Sequence, residues 1–92
     1  MLIFVMYDIS DTYTRNSFIN KLRYFGLRRI QKSIFVGFLS IDERLDLASE
    51  FDSFLSSQKD SIIMIPVCES CEDSILIEGE FTLPKPQNYV FL

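Results

Sequence analysis

The segment Leu2–Asp11, LIFVMYDISD, sets six apolar or aromatic residues directly before a carboxylate and a turn. Both parities are apolar, with Leu2, Phe4 and Met6 on one and Ile3, Val5 and Tyr7 on the other. That pattern marks a central strand covered on both faces. Asp8 ends the strand. A carboxylate fixed at the end of a buried strand costs desolvation free energy, so it is expected to serve a partner or a reaction.

Downstream, Ser10, Asp11 and Thr12 are all competent helix caps, and a first helix is expected from about Asp11 to Phe25. Its core stripe is Phe18, Ile19, Leu22 and Phe25. At about 100° per residue Arg15 falls roughly 60° from Phe18, on the flank of that stripe and near the strand end that carries Asp8. The helix dipole disfavours a cation in the first turn, so Arg15 should meet an acid or a phosphate; an ion pair with Asp8 or Asp11 is the simpler alternative.

Gly26 sits where a helix C-cap belongs, and Leu27–Leu39 reads as two strands reversing near Gln31–Ser33. Gly37 inside the second strand implies a bulge or a close backbone approach. Ser40 with Glu43 three residues on is a capping box, opening a second helix of about Ile41–Ser56. Leu47, Ala48, Phe51, Phe54 and Leu55 share one side of it; Asp42, Asp46, Ser49 and Ser53 face away. After a polar loop, Ser56–Asp60, comes the strand Ser61–Val67, whose Pro66 places it at an edge.

The order β-α-β-β-α-β is that of an α+β, ferredoxin-like fold, an antiparallel sheet with two helices on one face. Two helices cover only one face, so the other calls for a second sheet, which a homodimer supplies. Residues 1–67 form this core, and 68–92 form a tail. In the tail Ile75–Ile77 and Tyr89–Leu92 are the apolar pieces, with Pro84 and Pro86 keeping the segment between them extended. One or two extra strands are expected there, pairing with the sheet edge or with a partner subunit.

The chain has 92 residues, enough for one domain that buries about 60–65% of its unfolded surface. Nine Phe and 48% hydrophobic residues leave apolar surface for a second copy to cover. No basic leader with a cleavage site opens the sequence and no apolar run reaches the ~18 residues of a membrane span, so a cytoplasmic protein is expected. Cys68 and Cys71 form a lone CxxC with no histidine anywhere, which cannot complete a four-ligand zinc site within one chain. Two small buried residues, a reducible disulfide and an intersubunit metal site stay open as readings of the pair.

The net charge is −4, but its distribution is uneven. Between Thr12 and Ile41 stand Arg15, Lys21, Arg23, Arg28, Arg29 and Lys32 with no acid, while the remainder holds thirteen acids and three bases, so the parts carry +6 and −10. A one-sign block beside a strand-end carboxylate suits a phosphate ligand; a merely solvated charged face is the plainer reading.

These residues together resemble a known family. YDIS at the end of the first strand, Arg15 on the helix, the block RIQKSIFVG from Arg29 to Gly37, the capped acidic helix and SIIMIPV are similar to the small core adaptation protein of CRISPR systems. That family, often called CRISPR-associated endoribonuclease, is a ferredoxin-like dimer that partners the CRISPR integrase. The resemblance covers residues 1–67 and, loosely, the tail. It implies that Asp8 is a magnesium ligand and catalytic residue facing its counterpart across the dimer. It also implies nucleic-acid contacts at Tyr7, Arg15 and Arg29, an aromatic motif position at Phe35, and tail strands that cross to the partner subunit or dock other proteins. The position two after the first-helix arginine, basic in some members, is Ser17 here.

Chemistry gives the same two readings independently. Phosphodiester hydrolysis needs an activated water and neutralisation of phosphoryl charge, and without histidine a magnesium ion on Asp8, shared by two subunits, is the route left. The rival is a non-catalytic dimeric scaffold that holds duplex DNA for the integrase by its phosphates, through Arg15, Arg23, Arg28, Arg29 and Lys32. A toxin ribonuclease of the same fold, resembling virulence-associated protein D, is a third reading, which the RIQKSIFVG block does not favour.

Overall fold

The computed structural model describes residues 1–84. It runs β1 (Leu2–Asp8), α1 (Thr12–Tyr24), β2 (Arg28–Gln31), β3 (Ile34–Phe38), α2 (Ile41–Ser49), a 3-10 turn (Phe51–Phe54), β4 (Ser61–Val67) and a short α3 (Glu69–Glu72). The four strands form one antiparallel sheet in the order β2-β3-β1-β4. This is the ferredoxin-like arrangement expected, with the β1 segment central and Pro66 on the edge strand.

Each helix starts where its cap lies. The Asp11 carboxylate accepts from the Thr14 N–H at 2.8 Å and opens α1. Ser40 and Glu43 make the reciprocal capping box of α2, at 3.1 and 2.9 Å. Gly26 ends α1 with φ +88°, a left-handed conformation that glycine adopts without a Cβ clash.

The second helix is shorter than its sequence pattern suggests. Ser49 and Ser53 donate their hydroxyls to the carbonyls of Asp46 and Glu50, both at 2.7 Å, competing with the helix's own bonds. The chain tightens to the 3-10 turn, whose three-residue period puts Phe51 and Phe54 on one side. Both rings meet Phe18, with centroids 5.7 and 5.1 Å apart. Leu55, expected on the core side, lies past the turn and is exposed.

Pleating divides β1 between two apolar clusters. Ile3, Val5, Tyr7 and Ile9 pack under the helices with Phe18, Leu22, Phe35 and Leu47. Leu2, with Phe4 beside it, faces the other side of the sheet among Ile30, Val36, Ile34, Phe38 and Val67. Among the described residues no helix covers that second face, and its β4 residues Ile63 and Ile65 are 50% and 41% exposed. Gly37 permits a close approach rather than a bulge: a Cβ there would sit 2.6 Å from Leu27 Cδ2. The bulge falls in β2 instead, between Arg29 and Gln31.

The tail departs from expectation. Among the described residues Ile75–Ile77 forms no strand; the Ile75 N–H bonds back to the Glu72 carbonyl at 3.2 Å, inside the turn that follows α3. Ile75 and Leu83 lie instead against the open sheet face, and Arg28 donates to the Thr82 carbonyl. Of 75–77 it is the Ile75 side chain that packs on the apolar face, while Leu76 and Ile77 are exposed. Tyr89–Leu92 lies outside the described residues. No helix among the described residues is long and apolar enough to cross a membrane.

Candidate nucleic-acid interface

Asp8 pairs with Ser61 at the carboxyl end of β1, and it is exposed. The desolvation expected at a strand end is therefore absent, because only the strand's body is covered. Its parity is that of Leu2, Phe4 and Met6, so the carboxylate belongs to the open sheet face and not to the helix side. Among the described residues it accepts no hydrogen bond and joins no ion pair within 4 Å, the one such pair being Lys21 with Glu50 at 3.1 Å. Both its oxygens are free for a ligand.

Two side chains, Arg15 and Asp60, brace the loop behind Asp8. Arg15 is half-buried and reaches inward as expected, but its partners are neutral: it donates to the Ile9 carbonyl at 3.0 Å and to Thr12 Oγ1 at 3.3 Å. The expected ion pair with Asp8 or Asp11 does not form, because the guanidinium satisfies the carbonyl of Ile9, which the turn into α1 leaves without a strand partner. Asp60 is the second brace. Its carboxylate accepts from the Ser10 N–H at 3.0 Å, the Ser10 hydroxyl at 2.9 Å, the Ser56 N–H at 2.7 Å and the Ser57 hydroxyl at 3.0 Å, and also from the Ser56 hydroxyl. The Ser56 hydroxyl, then the Ser10 bonds, hold the Asp60 carboxyl far below the usual range. Asp11 is also lowered, chiefly by the Thr14 N–H. From sequence Ser56–Asp60 is a plain polar loop; three serines and an aspartate across two segments carry no spacing signal that links them.

On the far side of β1 lies the β2–β3 turn. The Tyr7 N–H donates to the Ser33 carbonyl at 3.1 Å, and the Tyr7 hydroxyl donates to the Lys32 carbonyl at 3.2 Å. Tyr7 is only 6% exposed and packs on Phe18 and Phe35, so it is a core residue that fixes the basic turn and not itself a contact surface. Arg29 donates to the Tyr7 hydroxyl at 3.5 Å and lies 5.4 Å from the Phe35 ring centroid, with Arg23 at 5.9 Å from the same ring. Phe35 is fully buried, which gives its motif position a physical role as the floor on which two guanidiniums rest. Arg23, Arg28, Arg29 and Lys32 are exposed along β2 and the end of α1. Lys21 is tied to Glu50 at 3.1 Å.

The described residues hold no cluster of three or more His, Cys, Asp or Glu side chains able to bind a metal ion. At the end of β1, among the described residues, Asp8 is the one carboxylate without an internal partner, since Asp11 and Asp60 are both engaged. Magnesium commonly takes one or two carboxylates, keeping waters and substrate phosphate as its remaining ligands, and Asp8 fits that minimal role. Asp11, the other nearby acid, is engaged as a helix cap.

Comparison with known proteins agrees with this architecture. A family profile described as CRISPR associated protein Cas2 matches residues 1–75. A CRISPR-associated endoribonuclease Cas2 of Archaeoglobus fulgidus is 38% identical over 77 residues, covering 84% of this chain and 82% of the relative. One from Methanospirillum hungatei is 32% identical over 83 residues, covering 90% and 86%. Among solved structures, Streptococcus pyogenes Cas2 at pH 6.5 superposes with a TM-score of 0.70 at 18% identity, covering 86% of this chain and all of that one. A hypothetical protein of Thermus thermophilus superposes with a TM-score of 0.68 at 28% identity, covering 94% and 96%. With the profile spanning most of the sequence and two relatives above 30% identity along most of both chains, this chain belongs to the CRISPR-associated Cas2 family.

Proposed function

We propose that this protein is a metal-dependent endonuclease of a CRISPR system, acting on RNA or DNA as a homodimer with Asp8 at its centre. The observation that carries the reading is Asp8 itself: a carboxylate free of internal partners, on the open sheet face, between a loop braced by Arg15 and Asp60 and a basic turn fixed by Tyr7. Two sheets placed face to face would bring two copies of Asp8 to one interface, the least that holds a shared ion. A bound magnesium ion would supply Lewis acidity toward a phosphoryl oxygen. Arg29 and Lys32 neutralise backbone phosphates beside the strand end, Arg23 extends that track at the end of α1, and Arg28 adds charge on the opposite face of β2, where it also holds the Thr82 carbonyl. The names of the relatives, which call them endoribonucleases, support RNA as one substrate.

A second reading, a non-catalytic scaffold that holds duplex DNA for the CRISPR integrase in spacer acquisition, is favoured by the exposed line of arginines and by the single carboxylate. Binding of labelled RNA and duplex DNA to wild type, to Asp8→Ala and to the double variant Arg28→Ala/Arg29→Ala, with cleavage followed in the same samples, separates the two. On either reading the arginine variant loses affinity and Asp8→Ala keeps it; only the nuclease reading requires that cutting disappear with Asp8.

A further inference from the structure

The chain's two cysteines have no part in the site above. Cys68 caps α3 with extended backbone angles, φ −70° and ψ 158°, and the Cys71 N–H donates to the Cys68 carbonyl at 2.9 Å. The two residues therefore stand at the ends of one closed turn, a geometry that keeps their Cα atoms below about 7 Å. A disulfide requires about 4.4–6.8 Å. Both thiols are free and exposed, which overturns the reading of the pair as small buried core residues. No third ligating side chain joins them among the described residues, so one chain offers a metal no site there.

We propose that Cys68 and Cys71 form a redox-active dithiol that closes to an intrachain disulfide, with Cys68 the attacking thiol and Cys71 the resolving one. The Cys68 Sγ lies 3.2 Å from the Ser70 hydroxyl. That contact first, then the Cys71 thiol, lowers the Cys68 pKa, while Cys68 raises that of Cys71. The oxidant is a low-molecular-weight disulfide. The Cys68 thiolate attacks one of its sulfurs and releases one thiolate, giving a mixed disulfide on Cys68. The Cys71 sulfur, losing its proton, attacks Cys68 Sγ and displaces the second thiolate. Two protein thiols are oxidised, one small disulfide is reduced to two thiols, and the two protons pass to the leaving thiolates.

The position gives the exchange a structural consequence. Val67, just before Cys68, pairs with Leu2 at the end of β4, and Ile75, four residues past Cys71, rests on the Leu2/Ile30/Val36 cluster of the open sheet face. The bridge would fix the turn that sends the tail across that face.

The test is thiol counting on the full chain in glutathione buffers of defined potential, with acid quench, maleimide alkylation and intact mass. In reduced glutathione two adducts are expected. In oxidised glutathione none is expected, with a monomer lighter by two hydrogens. Cys71→Ser should trap one glutathione on Cys68, and Cys68→Ser should form its adduct about tenfold more slowly. Both thiols persisting under oxidation, disulfide-linked dimers on non-reducing gels, or equal rates for the two variants would overturn the assignment. So would zinc retained after dialysis at one ion per two chains with the thiols protected.

Discussion

The Asp60 carboxylate grips Ser10 across fifty residues of chain, accepting its N–H at 3.0 Å and its hydroxyl at 2.9 Å. Ser10 lies two residues past Asp8, so the strand that delivers the candidate catalytic carboxylate and the strand that pairs with it are tied at their shared end. Replacing Asp60 with Ala leaves the Ser10, Ser56 and Ser57 donors without their acceptor. We expect a lower Tm and reduced activity with folding intact, partly restored by Asp60→Asn, which keeps one oxygen acceptor. Thermal unfolding with parallel cleavage assays checks this.

The same bonds set an acid limit. Asp60 and Asp11 both hold pKa values below their ordinary ones, so each folded state favours the ionised form. A carboxyl depressed on folding stabilises above its unfolded pKa, about 3.9 for Asp, and that contribution is lost as pH falls toward the folded value. Stability should therefore drop below about pH 4, and Asp60→Ala should flatten that drop. Denaturant titrations of both proteins between about pH 3 and 6 would show it, and identical slopes would count against the Asp60 hub.

Gly37 is set by packing. A Cβ at that position meets Leu27 Cδ2 at 2.6 Å, and the Gly26 carbonyl and Leu27 Cα at 3.2 Å. Leu27 is buried and its backbone cannot retreat without moving the end of α1. Gly37→Ala should cost about 1–3 kcal/mol of stability, measured by urea unfolding.

On the proposed reading the open sheet face is the contact between two copies. Ile63 and Ile65 stand beside Met6 and Phe4 across the β1–β4 ladder, with no helix above them. Ile65→Asp should convert a dimer to a monomer in sedimentation while leaving the helix-side core and the far-UV spectrum unchanged. A wild type that is monomeric at working concentration would remove the shared Asp8 centre.

Much of this was legible in the sequence because local rules agreed with the fold. The doubly apolar run before Asp8 announced a central strand, Ser40 and Glu43 announced a capping box, and Pro66 announced an edge; the structure has each. The misses were interactions that no spacing encodes. Helix-dipole reasoning gives Arg15 an acid or a phosphate; no ion pair forms, and its guanidinium bonds the Ile9 carbonyl. Asp60 gathered serines from two loops that are adjacent only after folding. Tyr7, read from the family resemblance as a nucleic-acid contact, is a core ring whose hydroxyl fixes the neighbouring turn. The segment Ile75–Ile77 has strand composition, but once α3 has turned the chain Ile75 packs on the open face while Leu76 and Ile77 stay exposed.

The basic track should reveal itself through salt. Removing one side chain that binds a phosphate should lower the slope of log K against log salt by roughly 0.7–0.9. Arg29→Ala and Lys32→Ala should each produce that change and weaken RNA and DNA binding without regard to sequence. Lys21→Ala, which breaks the pair with Glu50 and the contact over the Tyr24 ring, should leave the slope alone.

Cleavage by Asp8→Ala decides whether the strand-end carboxylate is catalytic. Labelled single-stranded RNA and duplex DNA would be incubated with wild type and variant, each in magnesium and in chelator. A metal-dependent nuclease centred on Asp8 cuts as wild type in magnesium alone, with a loss in the variant of at least the ~100-fold that follows disturbance of a metal ligand's support. Equal cutting by both proteins, or cutting that persists in chelator, would contradict it and leave the dimeric scaffold as the function.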